Sequence, residues 1–383
     1  MDSFSIRTRL FFGPDALDRL KALPYKRVLL VLDPFVAKGP VFGELTARLE
    51  AGGTAYRVFD GVVPDPPVAA VAEGVRAFLD FRPDAIVAVG GGSAIDSAKL
   101  VREFARKMDP AAADSAKLVA IPTTSGTGSE LTSFAILTDE QAKKKISLAG
   151  DGILPDEAIL SVPLVSSVPP ALVADTGMDV MTHAIEATVS DKANDFSDAL
   201  AEKALSLLGS YLLRSYSDPK DEEAKAKMHS ASALAGAAFN ASGLGLNHGM
   251  AHALGGRFHL PHGRTCSLLL PHVIAYNAGM EGLSGRVSPA EPAVKGYCKI
   301  ARILGLGTAD ATSAVRGLVA FVRFLQSEMR LPEKVSQTGK TTESEYLAAI
   351  DAMTEAAIAD FCTQGTPRPP MREAVARIYR ELW

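Results

Sequence analysis

Residues 84–96 read DAIVAVGGGSAID, an apolar run that ends in three glycines and leads into a helical pattern. An apolar run without alternating polar residues is typical of a strand that is buried on both faces of a sheet. Glycines at its end let the backbone approach an anion, and the N-terminus of the next helix directs free N–H groups at that anion. The stretch predicts a strand, turn and helix that suit a nucleotide pyrophosphate. A tight turn that needs small residues is the alternative.

A second polar loop follows the next apolar strand. Residues 122–130 read PTTSGTGSE, so hydroxyls and glycines stand where the strand at residues 118–122 ends. Two loops at the ends of consecutive parallel strands form the crevice in which open α/β sheets bind ligands, although alone this loop could be polar surface. The glycine loop does not fit the fingerprint GxGxxG, because Ile95 stands at its last glycine. Asp33 ends an earlier strand and either accepts hydrogen bonds from an adenosine ribose or begins the turn before Pro34.

Strands and helices alternate outward from these loops over the first 160 residues. The predicted strands are residues 3–12, 27–33, 55–59, 84–89 and 118–122, and a hairpin is predicted at 133–138 and 145–149. The predicted helices are residues 15–23, 41–51, 68–81 and the stretch after the glycines to about 107. Proline and serine are frequent at 161–170, and long helical periods follow. We expect an α/β plus all-α protein, with a Rossmann-like parallel-sheet domain over residues 1–165 and an all-helical domain over residues 166–383.

The composition excludes several classes of protein. Of the 383 residues, 47% are hydrophobic and 22% charged, and the net charge of −4 comes without a basic block for nucleic acid or lipid headgroups. Three scattered cysteines make no disulfide framework, the N-terminus lacks the apolar core of a signal peptide, and no apolar run could span a bilayer. We expect a cytoplasmic protein with no nucleic-acid or membrane partner. The half-exposed N-terminal strand could pair with another chain, which predicts a homodimer.

Histidines are concentrated in residues 247–263, which read NHGMAHALGGRFHLPHG and contain four of the seven in the chain. His248 and His252 are four residues apart and share a helix face, and Asp179 and His183 repeat that spacing upstream. With His262, the residues Asp179, His183 and His248 would offer one carboxylate and three imidazoles to a divalent first-row metal. Capping or surface histidines are the alternative for either pair alone. Three other histidines have no partner at a telling spacing and are interpreted as structural: His229, His259 and His272.

Four motifs together resemble the iron-containing (group III) alcohol dehydrogenase family. They are GGGSAID at residues 90–96, PTTSGTGSE at 122–130, DVMTHAIE at 179–186, and HGMAHALG with PHG within 248–263. The likeness runs through the whole chain, in the order and spacing of the family. It implies an N-terminal dinucleotide-binding α/β domain and a C-terminal helical metal-binding domain of the dehydroquinate synthase-like fold, with the active site in the cleft between them.

The resemblance also assigns roles to residues. It implies that Asp179, His183, His248 and His262 bind Fe²⁺, although Zn²⁺ fits the same donors. His252 matches a further histidine near the nicotinamide and is the expected catalytic proton relay. The positions that match contacts with NAD(H) are Asp33, Gly91, Gly92, Ser93, Asp96, Thr123, Thr124, Thr132 and Lys145. Asp33 corresponds to the acidic residue associated with NAD preference, and Asp65 stands where many relatives have asparagine.

A narrower resemblance is to the 1-propanol dehydrogenases of propanediol-utilisation microcompartments, with ethanolamine-utilisation alcohol dehydrogenases close to them. It is carried by stretches such as FSIRTRLFFG at 4–13 and SSVPPALVADTGMDVMTHAIEA at 166–187. It implies reduction of propanal or a similar short-chain aldehyde with NADH, which regenerates NAD beside an aldehyde dehydrogenase inside a microcompartment shell. Phe134, Phe239 and Phe258 are expected to narrow an apolar substrate pocket. No shell-targeting helix precedes the first strand, so encapsulation is expected to use a folded surface or a short terminal segment.

Other functions stay open on the sequence. Dehydrogenases of the same fold that act on ethanol, butanol, lactaldehyde or 1,2-propanediol, glycerol or maleylacetate would share the cofactor loops. Maleylacetate reductases work without the metal, so the intact set of ligands disfavours that substrate. A metallohydrolase would not need two nucleotide loops, and a non-catalytic microcompartment component would not need four metal ligands.

Overall fold

The apolar run before the glycines forms a strand, Ala85–Gly90, in which every residue is buried. The structure is a computed structural model that describes residues 4–64, 66–139, 144–307 and 309–383, without the side chains of residues 139, 144 and 145. Asp65 therefore lies outside the described residues. The chain divides into two compact units, Met1–Val168 and Pro169–Trp383.

The N-terminal unit contains a six-stranded sheet, a two-stranded sheet and their helices. Its elements in chain order are β1 (Arg9–Phe12), a 3₁₀ helix (Ala16–Ala22), β2 (Arg27–Leu32), α1 (Pro34–Lys38), α2 (Val41–Ala51), β3 (Ala55–Phe59), α3 (Val68–Phe81), β4 (Ala85–Gly90), α4 (Gly92–Met108), α5 (Pro110–Ala113), β5 (Lys117–Pro122), a 3₁₀ helix (Ser129–Leu131), β6 (Phe134–Asp139), β7 (Lys144–Ala149), a 3₁₀ helix (Asp151–Ile153), β8 (Glu157–Leu160) and α6 (Val162–Ser166).

The large sheet is parallel throughout, in the strand order β1-β8-β5-β4-β2-β3. Alternate residues of a strand enter different apolar cores: Leu29 packs in one cluster and Leu30 in the other. Both faces are therefore buried, as the uninterrupted apolar strands predict. β4 and β5 are neighbours, with Gly90 paired to Pro122, so the glycine loop and the hydroxyl loop leave the same edge of the sheet. The predicted hairpin is the antiparallel pair β6 and β7.

The N-terminal strand is shorter than predicted. Of the described residues 4–12, only Arg9–Phe12 form a strand, and they pair with β8, a short strand that is not predicted from the sequence. Ile6 and Leu10, two apolar residues of the predicted strand, are 50% and 37% exposed. The predicted helix over residues 15–23 is a 3₁₀ helix, Ala16–Ala22, with three buried apolar residues against the sheet.

The C-terminal unit is built from helices. Its elements are α7 (Pro170–Val189), α8 (Asp195–Ser217), α9 (Glu222–Ser242), α10 (Leu246–Phe258), α11 (His262–Asn277), α12 (Ala293–Ile303), α13 (Ala311–Glu328), a 3₁₀ helix (Val335–Thr338), α14 (Glu343–Ala359), a 3₁₀ helix (Cys362–Gly365) and α15 (Arg372–Glu381). Helix α7 is central, because every residue from Gly177 to Val189 is buried. The parallel sheet and the helical unit confirm the predicted α/β plus all-α fold. Among the described residues, no helix has the length and apolar character needed to cross a membrane.

Candidate functional site

Three helices of the C-terminal unit bring a carboxylate and three imidazoles together. Asp179 and His183 lie one turn apart on α7, His248 is in the first turn of α10, and His262 is the first residue of α11. Asp179 Oδ1 is 3.8 Å from His183 Nε2, 3.7 Å from His248 Nε2 and 3.5 Å from His262 Nε2. The three histidines that the sequence predicts as ligands therefore converge on a carboxylate oxygen of the fourth predicted ligand, Asp179.

Two observations show that this cluster fits a cation. Within the described part of the chain, neither Asp179 Oδ1 nor His248 Nε2 has a hydrogen-bond partner, although both residues are buried. Buried polar atoms are rarely left unsatisfied, and carboxylate and imidazole are donors that iron and zinc accept. Burial opposes ionisation of Asp179, yet the neighbouring imidazoles of His183 and His262 hold the pKa of its carboxyl well below the usual range. An ionised carboxylate at the centre is what a metal site needs.

Glu186 holds one imidazole in place. It lies two turns after Asp179 on α7, is buried, and its Oε2 is 2.5 Å from His248 Nδ1. Its Oε1 accepts a 2.7 Å hydrogen bond from the backbone N–H of Asn247. A carboxylate on Nδ1 fixes the tautomer that leaves Nε2 unprotonated toward a metal. The sequence analysis missed Glu186, although its seven-residue spacing from Asp179 could have indicated the shared helix face.

The junction of α7 and α11 is close and charged. The guanidinium of Arg264 donates two 3.0 Å hydrogen bonds to Asp175, from Nε to Oδ1 and from Nη2 to Oδ2. A Cβ at Gly263 would lie only 1.9 Å from the carbonyl oxygen of Asp175, so a larger residue cannot replace this glycine without moving a helix. The glycine after His262 therefore lets α11 begin against α7, which brings His262 to Asp179.

His252 lies beside the cluster and is not among the atoms that surround Asp179 Oδ1. Its Nδ1 is 2.9 Å from Asp360 Oδ2, and its ring stacks on that of His262 with a centroid separation of 5.3 Å. The imidazole is about one-fifth exposed, unlike that of His248. Asp360 was not identified from the sequence, because it lies 108 residues from His252 and no short spacing links them.

In the N-terminal unit, the glycine loop and the hydroxyl loop are packed against each other. A Cβ at Gly92 would be 2.8 Å from Thr127 Cγ2, and one at Gly91 would be 3.6 Å from Thr124 Oγ1. The backbone N–H of Thr123 donates to the carbonyl of Gly90 at 3.0 Å. A larger residue therefore does not fit at position 92, whereas a Cβ at position 91 would make an ordinary contact. The close packing at Gly92 is what the alternative explanation, a tight turn that needs small residues, predicts.

Asp96 fastens these loops together. Its Oδ1 accepts a 2.6 Å hydrogen bond from Ser129 Oγ, and its Oδ2 accepts a 3.1 Å bond from the backbone N–H of Ile136. Both carboxylate oxygens are thus used within the protein. Burial raises the pKa of the Asp96 carboxyl, and the nearby Lys99 opposes that shift. The structure therefore gives Asp96 a part in holding the two loops together.

Lys99 is a buried cation that sequence analysis missed. Its Nζ donates to Ser129 Oγ at 2.8 Å, to Thr132 Oγ1 at 3.1 Å and to the carbonyl oxygen of Phe134 at 2.6 Å. Burial lowers the pKa of Lys99 to about 8 and raises that of the neighbouring Glu130 to about 7. Thr132, expected at the cofactor, is thus held by Lys99, which lies one turn after Asp96.

Asp33 has two neighbours that bear on its expected role. Its Oδ1 accepts a 2.8 Å hydrogen bond from the backbone N–H of Val36 and so caps α1. A Cβ at Gly90 would lie 2.7 Å from Asp33 Oδ2, so the carboxylate lies directly beside the glycine loop. The structure therefore agrees with the alternative in which Asp33 begins the turn before Pro34, and its role toward an adenosine ribose stays a prediction. Ser93 lies in the first turn of α4, and Lys145 lies in β7, where its side chain is outside the described part of the structure.

The remaining aromatic and histidine residues lie in several places. Phe239 stacks on His183 with a centroid separation of 4.5 Å, whereas Phe258 packs on Tyr346 at 5.7 Å within the core around α14 and α15. Phe134 lies in β6 of the other unit. Three histidines are interpreted as structural. His229 is a buried residue of α9, and His259 is the left-handed C-cap of α10. His272, on α11, contacts Glu381.

Comparison with known proteins identifies the family. The model for "Iron-containing alcohol dehydrogenase" matches residues 7–162, and that for the C-terminal part of the Fe-containing alcohol dehydrogenase family matches residues 173–383. The chain is 40% identical to the 1-propanol dehydrogenase PduQ of Citrobacter freundii over 100% of both chains, and 34% identical to the NADPH-dependent butanol dehydrogenase of Clostridium saccharobutylicum over 99% and 97%. The alcohol dehydrogenase from Oenococcus oeni superposes with a TM-score of 0.90 at 28% identity over 100% of both chains. As its motifs predict, the chain is an oxidoreductase that belongs to the iron-containing alcohol dehydrogenase family.

Proposed function

We propose that this enzyme reduces a short straight-chain aldehyde, propanal in the first instance, to the corresponding primary alcohol with NADH. The observation that carries the proposal is the convergence of three imidazoles on Asp179 in a chain that also contains two interlocked loops suited to a nucleotide. Residues 1–165 would be the NAD-binding domain and residues 166–383 the metal-binding domain. The similarity over full length to a 1-propanol dehydrogenase supports the choice of substrate.

The proposed ligands of Fe²⁺ or Zn²⁺ are Asp179, His183, His248 and His262. When bound, the metal supplies a Lewis acid for the carbonyl oxygen, and the nicotinamide supplies the hydride. The contribution of the chain is to hold the donors before the metal arrives. Glu186 holds the ring of His248 at Nδ1, and the contact of Gly263 with α7 sets His262 against Asp179.

His252 is proposed as the catalytic proton relay. The carboxylate of Asp360 accepts from Nδ1, so Nε2 of the ring is left to exchange a proton with the alkoxide or with water. The partial exposure of the ring supports this role, because a relay needs a path to solvent.

The proposed cofactor is NAD(H), bound at the loops that follow β4 and β5. The residues proposed to form this site, by contact or by holding the loops, are Asp33, Gly91, Gly92, Ser93, Asp96, Thr123, Thr124, Thr132 and Lys145. The carboxylate of Asp33 beside Gly90 would repel a 2′-phosphate, a like-charge contact that costs affinity. Because both oxygens of Asp96 and the hydroxyl of Thr132 are held by protein groups, we propose that these two residues shape the loop.

The proposed setting is a homodimer in the cytoplasm, inside a bacterial microcompartment. The outward edge of β1 supports the dimer, and similarity to propanediol-utilisation enzymes supports the compartment and an aldehyde dehydrogenase as the partner enzyme. A second candidate function is reduction of butanal with NADPH, for which the 34% identical butanol dehydrogenase argues. Asp33 beside the glycine loop favours the NADH-dependent alternative.

Steady-state kinetics on anaerobically prepared, iron-loaded enzyme would test the proposal. We expect kcat/KM to be highest for propanal with NADH, lower for butanal and lactaldehyde, and lower for every aldehyde with NADPH. His262→Ala should lose turnover and bound metal but still bind NADH, and Asp33→Gly should narrow the difference between the two cofactors. Equal kcat/KM for NADH and NADPH in the unmodified enzyme would contradict the role of Asp33. A clear preference for lactaldehyde would contradict the substrate.

A further inference from the structure

The cluster around Asp179 contains a sulfur atom that the proposed set of ligands does not use. Cys266 lies one turn after His262 on α11, is fully buried, and has its Sγ 3.6 Å from His262 Nε2. Ligand atoms of Cys266, Asp179, His248 and His262 all lie within 4.8 Å of one another. We propose that Cys266 is an additional ligand of the metal, a sulfur donor that joins Asp179, His248 and His262. This inference rests on the metal site proposed above.

The distances in the cluster match those between donors that share one ion. Zinc–nitrogen and zinc–sulfur bonds of about 2.1 and 2.3 Å that meet at about 110° would separate the two donors by about 3.6 Å. The observed separation of Cys266 Sγ and His262 Nε2 is 3.6 Å, and Asp179 Oδ1 lies 3.5 Å from the same nitrogen. The sulfur is therefore as well placed for a common ion as the carboxylate oxygen.

The neighbours of Cys266 indicate a ligand independently of the sulfur. Asp179 and His248 are more than nine-tenths buried, and within the described residues Asp179 Oδ1 and His248 Nε2 make no hydrogen bond. Unsatisfied buried polar atoms cost free energy, so a cation among them would remove that cost. Because Sγ borders the same group of atoms, a cation placed there meets the sulfur as well.

A hydrogen bond from the thiol to His262 Nε2 is the alternative use of this contact. Such a bond would occupy the nitrogen lone pair that the metal requires, so it and metal binding at His262 exclude each other. When the ion binds, a bond forms between metal and sulfur, the S–H bond breaks, and the proton passes to solvent. A thiolate favours borderline cations such as Zn²⁺ and disfavours hard ones such as Mn²⁺, so Cys266 would bias the choice of metal.

X-ray absorption at the zinc edge of the zinc-loaded, full-length enzyme tests the inference directly. We expect a sulfur neighbour at about 2.3 Å from zinc in the unmodified protein. Cys266→Ser should remove that neighbour, whereas Cys298→Ser, on α12, and Cys362→Ser, beside His252, should retain it. A shell of nitrogen and oxygen only, or a sulfur neighbour that persists in Cys266→Ser, would overturn the inference.

Metal affinity provides a second readout that does not depend on catalysis. Cys266→Ser should weaken Zn²⁺ binding about tenfold or more, as loss of a ligand or its support does, and should change Mn²⁺ affinity by less than about threefold. Equal losses for both ions would argue against a sulfur donor. Far-ultraviolet circular dichroism checks that the variant is folded. If zinc binds through nitrogen and oxygen alone, only the inference about Cys266 fails. If unmodified protein binds no metal, the proposed metal site fails with it.

Discussion

Glu186 is the residue on which the orientation of His248 depends. Its carboxylate contacts Nδ1 of that ring at 2.5 Å and also accepts from the backbone of Asn247, so it holds both the imidazole and the start of α10. Glu186→Gln keeps the shape of the side chain but removes its charge. We expect the variant to bind Zn²⁺ about 10- to 100-fold more weakly, because groups that orient metal ligands typically contribute that much. Competition titration with a chelating dye measures the effect.

The matched control is Glu373→Gln on α15, which removes the same charge from an exposed position. It should bind zinc as the unmodified protein does. Unchanged affinity in Glu186→Gln, or equal losses in the two variants, would show that the Glu186 carboxylate does not support the site.

The low pKa of buried His229 indicates that acid destabilises the helical unit. It lies in α9, almost fully buried, and burial lowers its pKa from an ordinary 6.5 to about 4. The unfolded chain therefore binds a proton at this residue below pH 6.5 that the folded chain does not bind until about pH 4. The free energy of unfolding should therefore fall as the pH decreases from 6.5 to about 4, and His229 should account for roughly 3 kcal/mol of that fall. Urea unfolding of metal-free protein at several pH values measures it.

His229→Asn should make the pH dependence of the unfolding free energy between 6.5 and 4 less steep, because the contribution of this residue is removed. The control is His259→Asn, since His259 is exposed at the left-handed C-cap of α10 and asparagine tolerates that backbone. Its pH dependence should match that of the unmodified protein. A profile that is the same in all three proteins would refute the assignment.

At the scale of elements, the turn between β4 and α4 decides whether the two loops can meet. Gly92→Ala adds a Cβ 2.8 Å from Thr127 Cγ2, so one loop has to move. We expect NADH to bind at least about tenfold more weakly, as followed by the change in its fluorescence, because displaced N–H groups no longer converge on the pyrophosphate. Gly43→Ala in α2 is the control. The added Cβ would have no atom within 4 Å, so this variant should bind NADH as the unmodified protein does. Equal affinity in Gly92→Ala would contradict the proposed role of the loop.

The elements that could be predicted from the sequence are those with strong local patterns. Helix α3 and strand β3 begin and end at the predicted residues, because their periodicity and flanking turn residues are unambiguous. β8 is only four residues long, and its position beside β5 depends on pairing with residues far away in the chain. The length of β1 was predicted too long, because its partner β8 has only four residues to pair with it.

Some residues of the candidate site could likewise be predicted from local sequence patterns, whereas others depend on tertiary packing. Asp179 with His183 and His248 with His252 could be recognised from four-residue spacing, since each pair lies on one helix. That His248 approaches Asp179 while His252 approaches Asp360 is decided by the packing of α10 against α11 and α14, and of α11 against α7. Lys99 was missed because a lysine on a helix is usually exposed, and its burial against Ser129 becomes visible only when the loops are folded.

At the scale of the whole molecule, β1 is one of the two edge strands of the large sheet, with β3 at the opposite edge. Within the described residues β1 is hydrogen-bonded to β8 alone, so its other edge presents unpaired N–H and C=O groups. Three apolar side chains on or near it are exposed: Ile6, Leu10 and Phe12. An open, apolar edge is a template for another chain, and proteins usually cover or blunt it. Pairing of β1 from two copies would cover this edge, which is the physical reason for the proposed homodimer.

Phe12→Glu tests that dimer. Phe12 is 72% exposed, so the substitution costs the isolated chain little, but two copies paired along β1 would bring buried charges together. We expect the unmodified protein to sediment as a dimer and the variant to dissociate at least about tenfold more readily, because an uncompensated charge at an interface costs more than 1.4 kcal/mol. Phe35→Glu is the control: Phe35 is 80% exposed on α1, away from the open edge, and this variant should remain dimeric. A monomeric unmodified protein, or a dimer that Phe35→Glu disrupts and Phe12→Glu does not, would show that β1 is not the contact.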